Sequence, residues 1–403
     1  MSCTLLPVRA PARRGAPALQ GAVAAPSGAA GDQLEVWAPA QSPAFIMGAL
    51  TGAAGFKPEQ IKINITLLGG GFGRKIEPDF VLDAALVAKA MPGTAVQVIW
   101  TREDDIAHDK YRPLTAQHMT AAVDAQGKLV ALQHRMVSEG IYARVAPGLF
   151  KSTGGKDAPV LEGAEITYGI PNHQVQFMIE ERGVDAGFWR AVGPGYTKFA
   201  IETLIDEVAV GSKADPLAYR AQLLEKTPRA VAVLQQVGQM SNWGKPLPKG
   251  RALGLAFSDA WNTFVAMVAE VSIKNGRPVV HQVWAAVDCG VALKPKNVQA
   301  QIEGSVIFGL SAALHEKITL KDGVAQESNL HAYRILRANE TPLVHVKVMP
   351  TDNHPGGVGE AGLPPLAPGN VVASQLPPSV AKLGSALMAG SAALASLGKP
   401  SVR

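Results

Sequence analysis

Leu67-Leu68-Gly69-Gly70-Gly71-Phe72-Gly73-Arg74-Lys75 stands between two unlike patterns. Before it, Ile61, Ile63 and Ile65 alternate with Lys62, Asn64 and Thr66, the two-residue period of a half-buried strand. After it, Pro78-Asp79 opens a run in which Phe80, Ala84 and Val87 recur at helical spacing. The stretch is therefore a loop from strand to helix. Four glycines in five positions free the backbone and let bare N–H groups meet a ligand, for which a phosphate or oxo-anion is the natural guest. Arg74 stands where the dinucleotide fingerprint needs glycine, and Arg74-Lys75-Ile76 lacks the glycine and hydroxyl of a P-loop. A tight turn without a ligand remains an alternative on these residues alone.

The 403 residues allow two or three domains, and 47% hydrophobic with 18% charged content is that of a soluble globular protein. A net charge of +5 without a basic run or aromatic-interleaved basic stripe argues against nucleic acid as a partner. The longest apolar stretch, Phe257 to Val271, is broken by Ser258, Asp259, Asn262 and Thr263, so no transmembrane segment is expected. Cys3 and Cys289 are too few for an iron–sulfur cluster or a cysteine-ligated zinc. The nine histidines show no paired spacing, and His134 and His345, in strand-like runs, read as surface residues. No protein-ligated metal is expected.

Residues 1–33, rich in Ala, Pro, Gly and Arg, read as a disordered segment; Arg13-Arg14 is followed by too few large apolar residues for a signal peptide. Order is expected from Leu34, with a helix-like run to Ala54 and a strand at Val96 to Trp100. Thr101 to Asp105 reads as a solvated turn, and His108 to Pro113 as either its continuation or a structural clamp. Met119 to Ser138 reads as a β-hairpin about Asp124 to Gly127. A second glycine loop, Gly187 to Gly195, carries Phe188, Trp189 and Arg190 into a helix with Phe199, Leu204, Ile205 and Val208 inward and Glu202, Asp206 and Glu207 outward. Another helix follows Asp215-Pro216. From Arg251 strands prevail, turning at Asn275-Gly276, before a helix from Val298 to about Leu314 and a last strand from Leu343.

That last strand leads to Gly356-Gly357-Val358-Gly359-Glu360-Ala361-Gly362, a lone carboxylate among small residues. Shielded from water, its pKa would rise towards the range of a general base; left in the open, it is a solvated acid in a turn.

Six motifs in order resemble the molybdopterin-binding large subunit of the xanthine oxidase superfamily, in the branch of isoquinoline 1-oxidoreductase and bacterial aldehyde dehydrogenases. They are Gly-Gly-Gly-Phe-Gly-Arg-Lys at 69–75, Trp-Thr-Arg-Glu-Asp-Asp at 100–105, Tyr-Arg-Pro at 111–113, Phe-Trp-Arg-Ala-Val-Gly at 188–193, Gln-Ile-Glu-Gly at 301–304 and Gly-Val-Gly-Glu at 357–360. The resemblance implies an α+β fold with two lobes of mixed sheet and flanking helices. It also implies a molybdenum–molybdopterin cytosine dinucleotide cofactor. Gly70, Gly71, Phe72 and Gly73 would lie against it, with Gly359 beside them. The loop Phe188 to Gly193 would wall the substrate pocket, Arg190 would hold a polar substrate or the cofactor, and Gln301, at the start of its helix, would touch the dinucleotide. Glu360 would be the base that activates a water-derived oxygen for attack on an electron-poor carbon of an aldehyde or N-heterocycle. A small [2Fe–2S] partner subunit would take the electrons, with a cytochrome c as a further acceptor; relatives are often periplasmic, and this chain carries no convincing signal.

The family has a further segment before the region matching Val36, so the chain is expected to be N-terminally truncated relative to it. Lys294 replaces a usual asparagine and Ala361 a usual proline. The expected organisation is a disordered 1–33, a partial first lobe at 34–245, a second lobe at 246–368 and a divergent tail at 369–403. The rivals to an active large subunit are a non-catalytic remnant unable to hold the cofactor alone and a generic phosphate-binding module; the latter leaves Glu360 unexplained.

Overall fold

The computed structural model describes residues 2–8, 21–27 and 32–369. Its framework is three four-stranded mixed sheets. The first contains β1 (Ser2–Val8), while the second draws on β2 (Gly21–Ser27), β3 (Gln33–Ala38), β4 (Ile61–Ile65) and β5 (Val96–Ile99). Within that second sheet the order is β4-β3-β2-β5, with β3 and β4 parallel. Helix α1 (Pro43–Gly52), capped by the Ser42 hydroxyl, and helix α2 (Asp79–Ala90) cover its core of Val36, Ile46, Phe80 and Ala84.

The glycine loop leaves β4 and enters α2 as the sequence requires. Residues 21–27, read from composition as part of a disordered segment, instead pair with β3 and β5. Their small side chains explain this: Ala22 and Ala24 are buried where α2 crosses the sheet, and a larger residue would push the helix away. Ser2–Val8 likewise form an edge strand. The rest of 1–31 and the tail from 370 lie outside the described residues.

Helix α3 (Arg102–His108) replaces the solvated turn expected at 101–105. Thr101 and Asp104 cap its start reciprocally, and Asp105 is buried against Arg102. The hairpin β6 (Thr115–Val123) and β7 (Leu129–Ser138) forms as expected, joined by β1 on one side and a parallel β8 (Asn172–Ile179) on the other. His134, expected at the surface, is fully buried; β7 is an inner strand, and its Nε2 meets the Gln117 Oε1 across the pair at 2.8 Å. Between β7 and β8 lie three short helices, α4 (Tyr142–Val145), α5 (Pro147–Ser152) and α6 (Ala158–Leu161).

Helix α7 (Pro194–Gly211) follows the second glycine loop and is buried on nearly every side, which corrects the outward placement of Glu202. Its carboxylate accepts from Arg220 Nε on α8 (Pro216–Leu223) at 2.8 Å, from Tyr168 at 2.7 Å and from the Phe257 amide at 2.8 Å. Helix α9 (Pro228–Met240) packs on the third sheet, β14-β11-β10-β9. That sheet comprises β9 (Arg251–Ala260), β10 (Thr263–Lys274), β11 (Arg277–Asp288) and, parallel to β11, β14 (Leu343–Val348). Helix α10 (Pro295–Leu314) lies on its other face. A two-residue hairpin, β12 (Leu320–Lys321) and β13 (Val324–Ala325), and a last turn, α11 (Leu366–Gly369), complete the described chain. No described helix is long and apolar enough to cross a membrane.

Candidate active site

Backbone chemistry sets the floor of the site. Gly73, at φ +88°, packs so closely on the second glycine loop that a Cβ there would lie 2.6 Å from the Phe188 carbonyl oxygen. At Gly71 a Cβ would overlap the side chain of Gln41, whose Oε1 accepts from the Gly73 N–H at 3.1 Å. Behind the loop, Arg74 is fully buried, bonded twice to Asp79 at 2.8 and 2.7 Å and once to Asp109, and lies over Trp100. Lys75 reaches back to the Leu68 carbonyl at 2.9 Å, and Lys110 pairs with Asp185 at 2.7 Å. Asp109 and Lys110 thus form the structural clamp that was one of two readings of this segment. Its charges fix the loop from behind, while Gln41 and the Phe188 carbonyl cover Gly71 and Gly73.

Phe72, at φ +48°, stacks on Phe308 of α10 with centroids 5.2 Å apart. Arg190 is buried with its guanidinium 5.7 Å from both rings, donating through Nε and Nη2 to the Gly359 carbonyl, the first at 2.9 Å. Its Nη2 also meets the Gln301 carbonyl and Oε1, both at 3.2 Å. Gln301 is exposed and two turns into α10, because Pro295 starts the helix earlier than the apolar spacing suggested. The free amides of the first turn are therefore elsewhere, and Gln301 does not stand at the start of its helix as expected.

Glu360 is half-buried, and its Oε2 accepts from the Ala191 N–H at 2.6 Å. Burial raises its pKa, opposed by the Ala191 amide and by Arg190. Ala191 and Val192 both hold positive φ, at 79° and 39°. Consecutive left-handed non-glycine residues cost about 1–3 kcal/mol each, a strain found where a site is over-determined by its surroundings. Gly70, Gly71, Phe72, Gly73, Arg190, Gln301, Gly359 and Glu360 thus converge from four segments. Gln41 and Phe308 were not singled out from sequence; the one available signal was Gln41 standing directly before the helix start Ser42-Pro43.

The residues suit a large anionic group. The glycine loop is a surface without Cβ atoms, Arg190 and Arg112 bring positive charge, and Arg112 Nε and Trp189 Nε1 are buried donors without a partner. Arg112 stacks over Trp189 at 4.9 Å, and Trp189 over Phe308 at the same distance, so these donors adjoin the aromatic wall. Among the described residues no group of three or more His, Cys, Asp or Glu is placed to hold a metal.

Residues 19–223 and 220–342 each match a family model described as a molybdopterin cofactor-binding domain. The chain is 36% identical over 340 residues to isoquinoline 1-oxidoreductase subunit beta of Brevundimonas diminuta, covering 83% of this chain and 43% of that one. It is 30% identical over 370 residues to the membrane-bound aldehyde dehydrogenase [pyrroloquinoline-quinone] of Gluconacetobacter polyoxogenes, covering 84% and 48%. The chain thus spans less than half the length of these relatives. Among solved structures, quinoline 2-oxidoreductase from Pseudomonas putida 86 superposes with a TM-score of 0.75 at 15% identity over 92% of this chain and 72% of that chain. Aldehyde oxidoreductase from Desulfovibrio gigas gives 0.71 at 14% over 90% and 57%.

Proposed function

The chain belongs to the molybdopterin cofactor-binding family, and from that premise we propose that it is the large subunit of a molybdenum hydroxylase. Its substrate is an aldehyde or N-heterocycle; water supplies the oxygen, and two electrons and two protons leave for each C–H converted to C–OH. The observation that carries the reading is the Glu360 carboxylate, anchored at 2.6 Å on the Ala191 amide of the second glycine loop. When bound, the molybdopterin group in its cytosine dinucleotide form supplies the Lewis acid and the two-electron acceptor.

The chain's residues do the rest. Gly70, Gly71 and Phe72 give the cofactor a surface of backbone amides, while the Gly73 N–H is taken by Gln41, which holds the loop in place. Arg190, tied to Gly359 and Gln301, fixes the loop that carries Glu360 and adds positive charge beside it. Glu360 takes the proton from the attacking water-derived oxygen; its raised pKa makes it a better base than an exposed carboxylate. Phe72 and Phe308 shield the site from water. Because the chain has two cysteines, the electrons pass to a small [2Fe–2S] partner subunit, and onward to an acceptor such as a cytochrome c.

Elemental analysis and cytosine nucleotide release, on the chain alone and co-expressed with a [2Fe–2S] subunit, test the reading. It requires close to one molybdenum per chain in at least one preparation. Glu360→Gln should then lower kcat by about 10²–10⁴-fold, the usual contribution of a general base, with molybdenum retained. No molybdenum in either preparation leaves a non-catalytic remnant.

A further inference from the structure

Arg144, on the short helix α4, reaches both glycine loops at once. Its Nη2 donates to the Glu77 carboxylate at 2.7 Å and its Nε to the Ala186 carbonyl at 2.9 Å. Glu77 closes the 3₁₀ turn at Arg74–Ile76 that ends the first loop, its N–H on the Arg74 carbonyl at 3.2 Å. Ala186 stands directly before Gly187, where the second loop begins. The guanidinium therefore ties the exit of one loop to the entry of the other. Its planar fork serves both acceptors, whereas the point charge of a lysine would settle on the carboxylate.

The surroundings of α4 hold that fork in place. The Ala143 N–H donates to the Asp157 carboxylate at 3.1 Å, and a Cβ on Gly140 would lie 2.6 Å from the Ala143 Cβ, so the chain enters the helix without slack. The Tyr142 ring meets Phe188 edge to face, with centroids 6.3 Å apart. Phe188 is the residue whose carbonyl Gly73 packs against. A second strut, Asp109 to Tyr111, links Arg74 to the same entry through the Tyr111 N–H on the Asp185 carbonyl and the Gly187 N–H on the Tyr111 carbonyl, both at 2.8 Å. Arg74 is already shared by Asp79 and Asp109, so it is no substitute for Arg144 at the buried Glu77.

A short run leads from Ala186 to Ala191, whose amide holds Glu360 at 2.6 Å. The left-handed pair Ala191 and Val192 persists only while its surroundings over-determine it. We propose that Arg144 is a positioning residue that sets the register between the two glycine loops and, through the second, the seat of Glu360. It acts through Ala186 and Glu77 and not on the reacting atoms. The consequence for turnover rests on the proposed hydroxylase reading; the coupling of the loops does not.

Hydrogen exchange of the full chain, read by mass spectrometry, tests the coupling without cofactor. Arg144→Ala should speed exchange about tenfold or more at residues 69–77 and 186–193 together, with the third sheet unchanged. Arg144→Lys should speed it at 186–193 alone, and this variant decides the matter if Arg144→Ala does not fold. The Arg144 side chain is 28% exposed, so ethylguanidinium added to Arg144→Ala should enter the vacancy and restore protection in both loops. Arg251→Ala, which breaks a similarly exposed pair with Glu270 on the third sheet, should leave both loops as they are. Faster exchange spread evenly over the chain, unchanged loops in Arg144→Lys, or no rescue by ethylguanidinium overturns the proposal. In the molybdenum-loaded enzyme, Arg144→Ala should lower kcat about tenfold or more with KM little changed, the mark of a misplaced base, and ethylguanidinium should recover it. A raised KM at unchanged kcat overturns the role in seating Glu360. The hydroxylase reading fails separately, on molybdenum content or on Glu360→Gln, whatever the exchange of the loops.

Discussion

At single residues the two glycine loops are held by contacts that no side chain could share. Gly73→Ala combines a left-handed φ with a Cβ 2.6 Å from a backbone oxygen, so the second loop must move. Gly69→Ala, at φ +70° with nothing within 4 Å, carries the strain alone. We expect Gly69→Ala to cost about 1 kcal/mol. Gly73→Ala should cost about 1–3 kcal/mol more and displace Phe188, with loss of molybdopterin binding. Thermal unfolding together with molybdenum content of the two variants measures the difference; equal behaviour would mean the loops are not in contact.

Among the elements, α7 matters most, because it begins at Pro194 directly after the strained loop. Arg220 of α8 pins it through Glu202 at 2.8 Å and Asp206 at 2.6 Å, and Glu202 continues to the Phe257 amide of β9. Burial lifts Asp206 to about 6 in spite of Arg220. Removing one partner of a fully buried pair leaves the other charge without compensation, so Arg220→Ala should destabilise by about 3–5 kcal/mol in denaturant unfolding. Arg220→Met combined with Glu202→Leu should recover a large part of that. If the double variant were as unstable as the single, lost packing rather than an orphaned charge would be the cause.

Across the whole molecule, two buried groups set opposing pH dependences. Burial lifts Glu316 to about 7, partly offset by hydrogen bonds from Ser311 and Tyr333. Its contribution to stability is complete below the unfolded value near 4.5 and is lost as pH rises to about 7, because the fold holds the proton. Burial, with His173 and Lys198, lowers His134 to about 4. Its contribution is complete above 6.5 and is lost as pH falls towards 4, because the unfolded imidazole takes the proton. Each amounts to about 3 kcal/mol at most, with opposite slopes over nearly the same window. Glu316→Gln should therefore make stability rise between about pH 4.5 and 6.5. His134→Gln should make it fall there. Denaturation midpoints across that range check both, and a flat profile in each variant would show these groups to be unperturbed.

The sequence by itself determined the glycine loop between strand and helix, the paired strands about Asn275-Gly276 and a glutamate confined by small residues, because period and turn chemistry act within a few neighbours. It also carried the family, through the order of six short motifs. Which way Glu202 and His134 point, where α10 begins relative to Gln301, and that Gly21–Ser27 join a sheet were decided by partners distant in the chain. Only the tertiary structure brings Ala191 to Glu360 across 169 residues, and Arg190 to Gly359 and Gln301. Such contacts leave no local periodicity, since their energy comes from burial and hydrogen bonding between segments whose separation the backbone alone does not encode.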